Sequence, residues 1–474
     1  MEKVISYDQL PELFSVDVAV AGGGLAGCGA AIAAAQNGAK TLVIESSGCL
    51  GGAATLSLVA PISSVRSRDG RKFGGILWEM LERVMDYAQK YCGATKMHTT
   101  ALHAYKYVLL EMFKENNVEV LFHSFITDVV SDEQGKIKYL VVATKSGLKK
   151  ITAKQFVDAT GDADVAYKSN ADTIYGSEPL VFSDVINTKG MENDYNIKKD
   201  DYSGKVQPVS LMMLMGNVDV ETGIKYMNKK LTYSDLGITK EEFRQWKYAN
   251  TLGFEIDEES ELVPMPQGRV WLCQSVRENE AVINMSRVIN VNPCDPLQYA
   301  KAEVDAGLQL TAIIDFLSSF VPGFEKAYLI ESSSSLGIRE SRRLVGDYML
   351  TGSDTIGCKL FEDTIAHGSY IIDIHDPVGK RMAIGGSIEK NHYSIPFRCL
   401  ITSKVPNLSV AGRCISSDHV SMSSTRIQGT AMLTGQAAGT AAAIAVNKGI
   451  DTAQVNYKDV QNILKESGVL LETL

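Results

Sequence analysis

Asp17 to Glu45, DVAVAGGGLAGCGAAIAAAQNGAKTLVIE, is the stretch whose reading decides the fold. The apolar run Val18–Ala21 suits a strand buried on both faces. It breaks at glycines before an Ala-rich stretch whose only β-branched residue is Ile32, so the order predicts strand, tight turn and helix. Gly22, Gly24 and Gly27 fit G-x-G-x-x-G: the first allows the turn, the second lets a pyrophosphate approach the backbone, and the third lets helix and strand pack closely. The helix is predicted to begin near Leu25, with the free N–H groups of Leu25 and Ala26 aimed at the phosphates, and to stop at Asn37-Gly38. A second buried strand, Thr41–Ile44, ends in Glu45, 23 positions after Gly22. That is close to the roughly 20-residue spacing at which a carboxylate accepts the hydroxyls of an adenosine ribose. A Gly/Ala-rich helix that merely packs tightly would not require an acid there. The stretch predicts an adenine dinucleotide and leaves open which one.

At 474 residues the chain is too long for a single core, and two interleaved domains are expected. A net charge of −9 and the absence of a long Lys/Arg run disfavour a nucleic-acid partner. The first fifteen residues lack the basic start and apolar centre of a signal peptide. No apolar run reaches the roughly 18 residues needed for a membrane span, so the cytoplasm is the expected compartment. Eight cysteines are scattered without a C-x-x-C pair, which argues against zinc, an iron–sulfur cluster or a redox dithiol. No metal is expected.

Beyond Glu45, Ser46 leads into a loop carrying Gly51-Gly52-Ala53, where the missing side chains let the backbone approach something flat or charged. Phe73–Tyr91 and Ala101–Asn116 read as amphipathic helices. Val118–Leu121 and Phe125–Val130 read as strands, and Lys138–Ala143 with a return at Lys150–Thr152 predicts a β-meander. Gln155–Ala159 is a further strand, ending in Thr160-Gly161-Asp162 where open α/β sheets bind ligands. Residues 172–335 change character, mixing strand-like runs (Val209–Met215, Arg269–Cys273, Ala281–Val288) with a helical piece near Lys240–Asn250 and a long helix from Pro296 to Phe320. The fold class is therefore α/β: a Rossmann-like dinucleotide-binding domain with a β-meander insertion, plus a mixed α+β substrate domain. The expected division is 1–171 and 336–474 for the first and 172–335 for the second.

Arg339, Arg342 and Arg343 crowd one short segment that suits an anionic ligand as well as a solvated basic face. In Ser369–His375, period-two alternation puts Asp373 and His375 on one face, where a carboxylate fixes a histidine's tautomer for proton transfer. His392, Tyr393 and Arg398 form a candidate substrate wall. Near the end, Gly412-Arg413 breaks a strand, and Gly429-Thr430-Ala431 opens a long helix of small residues whose N-terminus suits a developing negative charge.

Together, GGGLAGCGAA at 22–31, VIESSGCLGGAAT at 43–55, FVDATGDADVA at 156–166, GIRESRRLVGDYMLT at 337–351, YIIDIH at 370–375 and SVAGRCISSDHVSMSSTRIQGTAMLTGQAAGTAAAIA at 409–445 resemble the FAD-dependent oxidoreductases with a glutathione-reductase-like FAD fold. The resemblance is closest to a bacterial branch whose substrates are mostly unknown. It implies FAD pyrophosphate on Gly22–Gly27, ribose on Glu45, flavin beside Gly51, Gly52 and Ala53, and adenine against the backbone at Ile126. It also implies contacts at Thr160-Gly161 and Gly412-Arg413, and the flavin pyrimidine edge at Gly429–Ala431. No second fingerprint for NAD(P)H is present.

The expected reaction is hydride transfer between a small polar substrate, sugar-like or hydroxylated, and flavin N5, with the electron acceptor unspecified. His375 or His392 is the expected acid/base, Tyr393 a hydrogen-bond donor, and Arg398 or Arg339 the anchor. The alternatives are reduction or desaturation of a C–C bond next to a carboxylate, and an electron-transferring subunit of a larger complex. A homo-oligomer is also compatible with the sequence.

Overall fold

Strand β1 (Glu12–Ala21) runs into the glycine turn, helix α1 (Leu25–Gln36) returns, and β2 (Thr41–Ile44) lies parallel to β1 with Val18 opposite Thr41. The computed structural model describes residues 7–94, 101–178, 191–193, 203–227, 229–379 and 382–472. Helix α1 ends where the Asn-Gly pair predicts, with Asn37 as its C-cap.

Helices α2 (Gly75–Tyr91) and α3 (Leu102–Glu115) pack against each other and against α1 before the short parallel strand β3 (Glu119–Leu121). β4 (Phe125–Ser131), β5 (Ile137–Thr144) and β6 (Gly147–Asp158) form the meander. The sequence reading separates a return at 150–152 from a strand at 155–159. The structure makes them one strand of 12 residues. No Gly or Pro interrupts Lys150–Asp158, so the chain stays extended. One edge of β6 pairs with β1 in parallel. The other is shared: its first half pairs antiparallel with β5, and Phe156–Asp158 pairs parallel with Leu408–Val410.

The chain then builds a second sheet from β7 (Met213–Gly216), β8 (Leu272–Gln274), β9 (Glu280–Ile283) and β10 (Tyr328–Ser332), backed by α4 (Pro296–Phe320). The long helix matches its sequence-based range. The predicted strands shrink to three- and four-residue pieces, and the helical piece to Lys240–Arg244. Side chains drawn from 209–336, among them Phe243, Phe254, Phe316 and Phe324, make a hydrophobic core separate from that under the first sheet.

The chain returns through β11 (Ile372–His375) and β12 (Leu408–Val410) to α5 (His419–Thr425) and α6 (Gln428–Lys448). Helix α6 lies against α1 with small residues at the crossing. A Cβ on Gly439 would stand 1.9 Å from Ala30 O, and one on Gly29 2.6 Å from Met432 O. The helices touch backbone to backbone, which explains the alanines and glycines in both.

Candidate cofactor cleft and substrate chamber

A cavity of about 840 Å³ runs from the β1–α1 turn to the second sheet. At the turn, Gly22 has φ +95°, and a Cβ on Gly27 would stand 1.8 Å from Gly22 O, so both positions require glycine. A Cβ on Gly24 would meet only Gly52 Cα, at 3.9 Å; the space above it is open. Helix α1 has no side-chain cap, and Leu25 and Ala26 line the cavity beside its uncapped N-terminus. Glu45 ends β2 with Oε2 accepting the Gly23 N–H at 2.6 Å and Oε1 the Ser47 N–H at 2.7 Å. The carboxylate thereby ties the glycine turn to the next loop.

Ser46, Gly51, Gly52, Ala53, Ile126, Thr160, Gly161, Gly412, Arg413 and Ala431 also face the cavity. Gly27 does not; it seats the helix on the turn. Gly429 packs on the carbonyls of Ser63 and Ser64, and the buried Thr430 hydroxyl donates to Ser64 Oγ (2.9 Å), so both brace the start of α6 rather than line the cavity. Asp158, not singled out in the sequence, shapes the opposite wall. Its carboxylate accepts from the N–H and hydroxyl of Thr160 (3.1 and 2.7 Å) and from the Ala166 N–H (2.9 Å). Arg413 crosses this wall to Asp162 Oδ1 and Ser341 Oγ, both at 2.8 Å. An uncapped helix N-terminus, a glycine cradle open on one side and an acid at the end of β2 fit an adenine dinucleotide.

The far end is a polar chamber formed by Ser210, Met212, Trp271 and Asn284 from the second unit and Arg339, Tyr370, Asp373, His375 and Arg426 from the returning chain. Arg339 is 8% exposed. Its Nη1 donates to Pro208 O (2.7 Å) and Ser210 Oγ (2.8 Å), and its Nε and Nη2 have no partner among the described residues. Burial, together with the nearby Arg426 and Arg287, lowers its pKa to about 9. His375 Nε2 stands 3.5 Å from Asp373 Oδ2, and Arg426 Nη2 is 3.3 Å from the same oxygen. Burial, and then Arg339, push the His375 pKa down to about 3 against the pull of Asp373, so the ring is neutral. Burial alone would raise the Asp373 pKa, but His375, Arg426 and Arg339 outweigh it and hold the carboxylate ionised.

Of the five residues proposed from sequence for substrate chemistry, the structure brings His375 and Arg339 together. It places the others elsewhere. His392 lies 3.2 Å from Glu472 through Nε2, with its ring 4.3 Å from that of His367 and edge-on to Phe73. Tyr393 is fully buried over Gly368, accepting from Ser424 Oγ at 2.9 Å. Arg398 lies at the surface, paired with Asp363 through Nε at 2.9 Å and Nη2 at 3.1 Å. The proposed substrate wall is therefore not one: Tyr393 opens an inward-packed strand (Tyr393–Pro396), His392 is buried just before it, and Arg398 lies beyond its end at the surface. The arginine cluster also divides. Arg339 faces the chamber, Arg342 bonds Asp162 O and Asp164, and Arg343 is buried among Glu340, Glu178, Gly176 O and Ser417 O. Arg342–Leu344 is a strand, so adjacent side chains diverge. Arg426, Tyr370 and Ser210 were not singled out; Arg426 sits two residues before the recognisable Gln428-Gly429 helix start, which is the one signal that could have found it.

The model of the family described as FAD dependent oxidoreductase matches residues 17–464, and the chain belongs to that family. Its cofactor is FAD, and it is a flavin-dependent enzyme. Among solved structures, it is similar to a geranylgeranyl bacteriochlorophyll reductase-like protein from Thermoplasma acidophilum, with 13% identity over 96% of this chain and 84% of that one and a TM-score of 0.42. It is also similar to p-nitrophenol 4-monooxygenase from Pseudomonas putida DLL-E4 (11% identity, 95% and 84% covered, TM-score 0.41). A third is the myxobacterial chondrochloren halogenase (12% identity, 95% and 78% covered, TM-score 0.42). No curated protein matches the chain. No described helix is long and apolar enough to cross a membrane.

Proposed function

We propose that this enzyme transfers a hydride between flavin N5 and a carbon of a small polar substrate, a hydroxy compound that also carries a carboxylate. The observation that carries this reading is Arg339: a buried guanidinium lining the chamber, with Nη1 satisfied and Nε and Nη2 without a partner among the described residues. A charge desolvated to that degree calls for an anion, and the planar fork suits a carboxylate. Asp373 already has Arg426 and His375 as partners, and no described carboxylate lies within ion-pair distance of Arg339.

When bound, FAD supplies the two-electron chemistry; the protein orients the substrate and moves one proton. Gly22, Gly24, Leu25, Ala26 and Glu45 would hold the adenosine and pyrophosphate end, with Ser46 and Ile126 beside them. Gly51, Gly52, Ala53, Thr160, Gly161, Gly412, Arg413 and Ala431 would flank the rest, with Gly27, Gly429 and Thr430 supporting from behind. Arg339 anchors the substrate, and the His375–Asp373 pair handles the proton. We divide the chain into an FAD-binding unit of residues 1–171 and 336–474 and a substrate unit of 172–335, a reading supported by the separate core at 209–336.

The test is anaerobic mixing of the holoenzyme with hydroxy acids, neutral sugars and saturated carboxylic acids while the flavin colour is followed. Bleaching by hydroxy acids is expected, with Arg339→Gln raising the half-saturating concentration about 100-fold or more at unchanged FAD content, as for a lost charge-assisted pair. Bleaching by saturated acids alone would instead favour C–C desaturation, and reduction only by a partner protein would favour an electron-transfer subunit.

A further inference from the structure

A chain of polar contacts behind the chamber has its direction fixed from one end. The guanidinium of Arg287 has only donors, so the Gln267 atom 3.3 Å from its Nη1 is the carbonyl oxygen Oε1. The other amide atom, Nε2, then faces His375 Nδ1 at 3.4 Å, and an amide nitrogen only donates. Nδ1 is therefore the bare nitrogen of the neutral ring. The ring proton sits on Nε2, facing Asp373 Oδ2 at 3.5 Å, and Arg426 Nη2 donates to that oxygen at 3.3 Å. The His375 backbone N–H is fixed as well, donating to Gln207 Oε1 at 3.0 Å.

This polarity leaves His375 with nothing to receive a proton. Nδ1 is covered by Gln267, and Nε2 is already protonated. The charged and titratable groups around the ring agree: Arg339 from the returning segment, Arg287 from beyond β9, Arg426 after α5, Tyr370 just before β11, and Asp373 on the histidine's own strand. Among the chamber residues named above, Asp373 is the one whose side chain only accepts, and it lines the chamber while His375 and Arg426 occupy one of its oxygens.

We infer that Asp373, rather than His375, accepts the proton of the substrate hydroxyl, and that His375 is a positioning residue held in its Nε2–H form by Gln267. The inference rests on the chamber being an alcohol-oxidising site, and it narrows the substrate to a small hydroxy acid with its carboxylate on Arg339 and its hydroxyl on Asp373. In the oxidising direction, the C–H hydride leaves for the FAD ring while the O–H proton goes to Asp373. The carbon–oxygen single bond becomes a carbonyl, two electrons and one hydrogen reach the cofactor, and one proton reaches the carboxylate. Substrate binding also prepares the acceptor. A carboxylate on Arg339 cancels one of the positive charges that hold down the proton affinity of Asp373.

Two measurements test this. In holoenzyme labelled with ¹⁵N-histidine, with His375→Gln used for assignment, His375 should show an unprotonated Nδ1 and no titration between about pH 5 and 8. A proton on Nδ1, or titration in that range, overturns the positioning role. In anaerobic reduction by the best hydroxy acid of the panel, Asp373→Asn should slow bleaching by about 10³-fold at unchanged FAD content, as for loss of a proton acceptor. His375→Gln should slow it by no more than about tenfold and leave the pH profile unchanged. The reverse order of effects overturns the assignment. A wild-type enzyme that no hydroxy acid reduces would sink the alcohol-oxidising reading and the role of Asp373 with it, while the histidine spectrum would still decide the tautomer.

Discussion

A methyl group on Gly435 would stand 2.0 Å from the carbonyl oxygen of Ala26, so α6 crosses α1 at the turn that begins the dinucleotide cradle. Neither backbone can yield without moving the other helix. Gly435→Ala is therefore expected to destabilise the protein by about 1–3 kcal/mol, the usual cost of overpacking, despite the better helix propensity of alanine. Denaturant unfolding followed by circular dichroism checks this, and FAD content should fall in parallel. A neutral or stabilising effect would mean that the helices are not in backbone contact.

Arg343 is fully buried and bonds the equally buried Glu340 at 2.8 Å, which also meets His419 Nδ1 at 2.7 Å. Burial would raise the Glu340 pKa, but His419 and Arg343 outweigh it and lower it. Arg343→Met is expected to cost about 3–5 kcal/mol, because it leaves a buried carboxylate short of its partner. Arg343→Met combined with Glu340→Gln should cost less than the sum of the single changes. Additivity in a double-mutant cycle would argue against the pair.

Asp418 caps α5, accepting from the N–H groups of Ser421 and Gly352, both at 2.7 Å. Burial nonetheless raises its pKa to about 6. A carboxyl that binds its proton more tightly when folded gives most stability below its unfolded pKa of about 3.9 and loses it as pH rises to about 6. The stability of Asp418→Asn relative to the wild type should therefore rise across that window and level off above it. A pH-independent difference would show that burial does not perturb this carboxyl.

Arg398 lies about half exposed beside Asp363. Arg398→Ala should remove no more than about 1 kcal/mol of stability and leave flavin reduction unchanged. A large rise in the half-saturating substrate concentration would place substrate at Asp363 and contradict the chamber described above.

The contrast between Arg398 and Arg339 shows what the sequence makes legible. The stretch from Val18 to Glu45 can be read because each glycine answers a local requirement, such as the positive φ of Gly22 or the contact between Gly27 and the Gly22 carbonyl. Asp373 and His375 are visible as a pair because strand alternation is local too. Which arginine faces the substrate is not local. It depends on a segment bridged to Ser210 and on whether 342–344 extends as a strand, and neither leaves a pattern in IRESRRL. The strands near 209–288 were overestimated because apolar residues there serve a mixed core with only short runs of pairing. His392 and Tyr393 attract attention as reactive side chains, but His392 Nε2 is held by Glu472 and the Tyr393 hydroxyl by Ser424.

Sharing one edge of β6 between two partners has a consequence for biosynthesis. Leu408 pairs with Phe156, a separation of 408 − 156 = 252 positions, and the face of α1 awaits residues 428–448. A growing polypeptide thus makes its cofactor fingerprint almost at once but cannot close it until most of the chain has been translated. Until then, a half-empty sheet edge and a bare alanine-rich helix remain open to the wrong neighbours. Loading with FAD is in this sense a late event, and shortening the polypeptide at its far end should empty a site whose signature lies within the first fifty residues.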